Sequence, residues 1–192
     1  MNILIVGLLI FLGTHSLRMV ADGWRGAQIA RLGEHTWKAA YSAVSLLGFG
    51  LIVWGYALAR QDPVVLWWAP IWTRHLAALL TLPAFVLLVA AYVPGTHIRA
   101  RIGHPMLAGV KLWALAHLIA NGMLADVLLF GSFLAWSIAC FAVSRRRDRL
   151  AGTRRPALGW QRDAIAVVVG VLAWFVFARH LHAWLFGIAP FG

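Results

Sequence analysis

Six stretches of predominantly apolar residues, at about 2–17, 37–58, 75–93, 105–120, 123–143 and 164–185, occupy most of this chain. Each is near the ~20 residues that a helix needs to cross a hydrocarbon core of roughly 30 Å. Inside lipid every backbone amide must find a partner within its own segment, so helices are the conformation such runs must take. The apolar fraction of 62% leaves too little polar surface to clothe a soluble domain of 192 residues. The sequence therefore predicts an all-α integral membrane protein, a six-transmembrane-helix bundle forming a single domain over 1–192.

Charge sets the expected orientation. Arg18, Arg25, Arg31 and Lys38 follow the first run and Arg99 and Arg101 follow the third. Arg145, Arg146, Arg147, Arg149, Arg154, Arg155 and Arg162 follow the fifth. The opposite loops offer only Arg60 and Arg74. Positive residues stay on the cytoplasmic side, which predicts periplasmic termini in a bacterial inner membrane. The formal charge of +11 is accounted for by that topology and by anionic lipid, and implies no nucleic-acid partner. The apolar N-terminus has no basic residue before it, reversing the polarity of a cleavable signal, so the first helix is expected to stay.

Small residues mark two helix faces for close packing: Tyr41, Ser45, Gly48, Ile52 and Gly55 on the second run, and Gly131, Ala135 and Ala139 on the fifth. Pro83 predicts a kink in the third run. Asn121 and Gly122 reverse the chain abruptly, making runs four and five an antiparallel hairpin. The Trp-rich segment 61–73 suits an outer headgroup layer, and 144–162 is expected to be a mobile loop.

Ionisable residues within a span are functional candidates by default. His15 lies in the inner half of the first run and His117 in the outer half of the fourth, whereas His35, His97, His180 and His182 fall in loops or at an interface. His117 and Asp126 are equidistant from the Asn121-Gly122 turn, so an acceptor such as Asp126 on one ring nitrogen would leave the other for a metal. Equally, a His-Asp bond would simply lock two helices. His104, Lys111 and Cys140 form an inner cluster suited to an anionic group. A single cysteine excludes an internal disulfide and a thiolate cluster. No phosphate loop, HExxH or GxSxG motif is present, and no carboxylate pair converges for hydrolysis. Intramembrane imidazoles without cysteine partners suit axial ligation of haem iron.

Two segments carry a family resemblance. One is Gly13-Thr14-His15-Ser16-Leu17-Arg18 and the other runs from Gly103-His104-Pro105 through Lys111-Leu112-Trp113-Ala114-Leu115-Ala116-His117 to Asn121-Gly122. Together with the Tyr41 to Ser45 region, Pro83 and the Phe130 to Trp136 stretch, they resemble the NnrU family over almost the whole chain. That resemblance implies a multi-span membrane protein associated with denitrification, in the reduction of nitrite and nitric oxide, with nitrogen-oxide reductase components as partners. The family is similar to plant zeta-carotene isomerase, a haem-b enzyme with one ligand in a His-Ser motif and another in a Trp-Cys-x-x-His motif. Those positions correspond to His15 and His117 and imply a haem-b, isomerase-like or redox protein; Trp113, Asn121 and Arg18, within the matched segments, and Asp126, from the hairpin count, are the candidate supporting residues. Ala114 stands where the isomerase has its cysteine, so a cysteine-linked ligand switch does not carry over.

The span boundaries set His15 and His117 about 15 Å apart in depth, at 1.5 Å per residue. Tilt would close that gap; otherwise His75 with His117, or His15 with His104, is the better pair. Two other classes compete. His104, Pro105 and Gly109 echo the isoprenylcysteine carboxyl methyltransferases, although Gly103 stands where their Arg does. A non-enzymatic membrane assembly factor with structural histidines is the third.

Overall fold

A computed structural model describes residues 1–191. Its helices are α1 (Asn2–Val20), α2 (Asp22–Leu32), α3 (Glu34–Ala59), α4 (Trp72–Tyr92), α5 (His97–Ile102), α6 (Pro105–Ala120), α7 (Leu124–Leu150) and α8 (Trp160–Val176). A π-helical turn, Phe177–Leu181, then leads into α9 (His182–Phe186). Among the described residues there is no β-strand, only an isolated antiparallel bridge between Val65 and Met123. Among the described residues five helical segments are long and apolar enough to cross a membrane, counting Trp160–Phe186 as one. The remaining apolar helix, α6, has 16 residues and a length of about 24 Å.

The chain forms two compact units, 1–66 with 123–132, and 67–122 with 133–192. In the first, α1 and α3 run antiparallel at a spacing that only glycine permits. A Cβ on Gly7 would lie 2.6 Å from the Ile52 nitrogen, and one on Gly48 would lie 2.8 Å from the Phe11 nitrogen. A Cβ on Gly55 would strike the Leu4 backbone. Leu4 thus faces Gly55, Gly7 faces Ile52 and Phe11 faces Gly48, so the small-residue row on α3 is a packing face. Without a hydrophobic force between helices in lipid, close backbone approach supplies the association energy.

The second expected row is different. Gly131 has open space where a Cβ would be, and Ala135 and Ala139 are exposed, so that face of α7 meets no neighbour among the described residues. Small-residue spacing marks a possible seam, and a seam exists only where a second helix arrives.

In the second unit α4 packs on α6, where a Gly109 Cβ would lie 2.9 Å from the Ala84 carbonyl oxygen, and on α8, where a Gly170 Cβ would lie 2.6 Å from the Val86 Cα. Helix α4 continues through Pro83. The rings of Trp113 and Phe133 meet edge to face at 5.6 Å, and Lys111 lies over Phe141, the order expected of an α6–α7 hairpin.

Two expectations about the ends of helices are corrected. Helix α7 runs through the arginines to Leu150, and α8 begins at Trp160, so much of 144–162 is helical. What lies between is tied down: Leu158 N donates to Gly95 O at 2.8 Å and Arg155 pairs with Asp148. A helix that leaves the apolar layer has no reason to stop there, because its backbone bonds are internal and its arginines reach water.

Candidate functional site

Polar residues in the last two turns of α1 satisfy themselves locally. Thr14 Oγ donates to Ile10 O, His15 Nδ1 to Phe11 O and Ser16 Oγ to Leu12 O, each at 2.7 Å and each to the carbonyl one turn back. A carbonyl can only accept, so His15 carries its proton on Nδ1 and keeps its lone pair on Nε2. Its ring lies 4.2 Å from that of Phe11 and meets Tyr41 edge-on at 5.5 Å. Continuing the α1–α3 register brings His15 level with Ser45, whose Oγ is buried and makes no hydrogen bond. Arg18 ends the same helix, exposed, where a cation suits the helix dipole.

His117, in the second unit, repeats the arrangement. Its Nδ1 donates to Trp113 O at 2.9 Å, again one turn back, so Nε2 again holds the lone pair. The Trp113 ring lies 5.2 Å from the imidazole and is itself held by Phe133. Asn121 donates to the His117 carbonyl twice, through its backbone N at 2.9 Å and its Nδ2 at 2.8 Å, closing the last turn of α6 at the histidine. Gly122 follows because a Cβ there would strike the Trp67 carbonyl. Ala114, one turn before Leu118 and fully buried, fills the position where a larger residue would meet the packed interior.

Asp126 is 4% exposed and belongs to the first unit. Its carboxylate accepts from the Tyr56 hydroxyl at 2.5 Å and from Met123 N at 3.1 Å, tying α3 to the first turn of α7. Tyr56 carried no motif, and its partner is 70 residues away.

The alternative ligands fare unequally. His75, in the first turn of α4, is exposed. From the approach of Ala84 to Gly109 it is about 13 Å back along α4, as His117 is about 12 Å on along α6, so the two are at similar height. His104 caps the start of α6, about 20 Å from His117 at its other end. Its Nε2 lies 2.7 Å from Asp148 Oδ2, which Arg155 also holds at 2.7 Å.

A second His-Asp pair was not foreseen. Asp163 accepts from His97 N at 3.0 Å, His97 Nδ1 at 2.8 Å and Ile98 N at 3.0 Å, while Thr96 Oγ1 accepts from Arg99 N at 3.0 Å. These bonds satisfy the orphan donors at the start of the six-residue α5. The His97 ring stacks on Trp160 at 4.0 Å. The pair therefore anchors α5 to α8. Among the described residues no three His, Cys, Asp or Glu side chains converge as a metal-holding group.

These features define an all-helical protein of membrane-spanning character, with histidines in two of its apolar helices held in the same tautomer. The chain belongs to the NnrU family: the family model, described as NnrU protein, matches residues 3–190. No curated protein matches it, and no solved structure does.

Proposed function

We propose that this chain is a haem-b protein of the bacterial inner membrane, acting in redox chemistry or in the support of nitrite and nitric oxide reduction. The observation that carries the reading is the shared geometry of His15 and His117, each with Nδ1–H on the carbonyl one turn back and Nε2 as the basic nitrogen. Metal-ligating histidines use that arrangement, because a fixed Nδ1–H bond sets the ring's orientation and raises the basicity of Nε2. The residues present fit haem for a second reason: the buried, unbonded Ser45 Oγ at the level of His15 is a polar atom left for a ligand to meet.

Under this reading His117 and His15 are each residues whose Nε2 would ligate haem iron, with Trp113 orienting the His117 ring and Asn121 fixing the backbone that carries it. Asp126, through Tyr56 and Met123, secures the outer end of the hairpin. Bound haem would supply one-electron chemistry at iron. Protein purified gently after expression with ample haem is expected to show a Soret band. Colourless protein that binds a methyl donor would overturn the reading in favour of a methyltransferase.

The same reading places both termini in the periplasm, with α6 making a sixth crossing. Reporter fusions at the two ends are expected to report the same, outer, side. Ends on opposite sides would mean that α6, at 16 residues, does not cross.

A further inference from the structure

The basic end of the second unit carries two carboxylates, Asp163 spent on the start of α5 and Asp148 beside Gly103, against many more cations. Lys111 Nζ lies 3.6 Å over the ring of Phe141, and the His104 ring meets the same phenylalanine edge-on at 6.3 Å. His104 and Arg155 both hold Oδ2 of Asp148. Arg145 reaches across α5 to the Ile102 carbonyl through one long bond of 3.4 Å from Nη1.

The two arginines converge on Gly103. Its φ of +80° is a conformation that favours glycine, and a Cβ there would lie 2.8 Å from Arg145 Nη1 and 3.7 Å from Arg155 Nη1. Gly103 and Pro105 are buried, and the His104 and Arg155 side chains are no more than 22% exposed, so water does not fully solvate these charges. Asp148 is shared by Arg155 and His104, while Arg145, one turn before it on α7, and Lys111, over Phe141, have no carboxylate partner among the described residues of this cluster. Like charges held this closely repel unless an anion sits among them.

We infer that this cluster binds a phosphate group over Gly103, with Arg145 and Arg155 donating to its oxygens and Lys111 adding charge from the α6 side. Planar guanidinium groups offer paired N–H donors that match phosphate oxygens, which distinguishes this site from the dispersed arginines along α7. A phospholipid headgroup and free phosphate share the required chemistry. The site does not depend on haem and is tested without it.

Full-length protein in mild detergent is exposed to phosphatidylglycerol or phosphatidylcholine and examined by native mass spectrometry. In a separate lipid-free arm, inorganic phosphate is titrated against thermal unfolding. Wild type is expected to retain one phosphatidylglycerol per chain in preference to phosphatidylcholine, or to show saturable protection by phosphate, the arm that responds naming the source. Arg145→Gln should weaken that binding about tenfold, the loss expected of a charge-assisted hydrogen bond. Lys111→Met, which keeps the contact with Phe141, provides a second reading should Arg145→Gln not fold. Arg149→Gln, on an exposed turn of the same helix, should change binding less than about twofold. An equal loss in Arg149→Gln, or no saturable binding in either arm, would overturn the site.

Discussion

His117→Ala protein is expected to purify with less than about a tenth of the haem of wild type, whereas His15→Ala should keep part of it with a changed spin state. The difference follows from how each ring is held. His117 is fixed at three levels, by its Nδ1 bond to Trp113 O, by the Trp113 ring and by the double bond from Asn121 to its carbonyl. His15 is held by its Nδ1 bond to Phe11 O and by the rings of Phe11 and Tyr41. His180→Ala is the control, because that residue is exposed on the π-helical turn and can be hydrated without metal. Haem content per folded protein and the reduced spectrum of each variant provide the measurement. Unchanged haem in both His117→Ala and His15→Ala would defeat the assignment of iron ligands.

Much of the helical framework is legible in the sequence because lipid imposes it. The α6 run at 105–120 matches the helix end for end, since Pro105 opens it and Asn121-Gly122 closes it. Helices α2 and α5 escaped because both are short and charged: Asp22–Leu32 buries no residue and His97–Ile102 rests on distant caps. The run-on of α7 to Leu150 escaped because hydropathy reports where lipid ends, and the helix continues beyond it.

The polar pairs were less legible, since their partners are remote. Asp126 finds Tyr56 70 residues away, Asp163 finds His97 66 away and Asp148 finds His104 44 away, and no local spacing encodes such meetings. Scarcity was the available signal. With six acidic residues in 192, three that border apolar helices each need a donor, and the aromatic and histidine residues at matching helix ends are the few that can supply one. The Nδ1 bonds of His15 and His117, by contrast, are local, each reaching the carbonyl four residues back on its own helix.

Gly55→Leu is expected to destabilise the first unit by about 3 kcal/mol, seen as a lower unfolding midpoint in detergent, while Gly131→Leu should leave the midpoint within error. Both glycines lie in small-residue rows, so the sequence alone ranks them together. The structure separates them: a Cβ at Gly55 falls on the nitrogen and Cα of Leu4, backbone atoms that cannot swing aside, whereas Gly131 has nothing within 4 Å. Moving α1 outward to admit a leucine would also part Gly7 from Ile52 and Gly48 from Phe11, since all three approaches share one register. The dispersion contacts along the seam would be lost together. At Gly131 a leucine meets open space and improves helix propensity by up to about 1 kcal/mol. A similar drop in both variants would mean that α7 packs through its small face after all, and an unaffected Gly55→Leu would mean that α1 and α3 do not meet in this register.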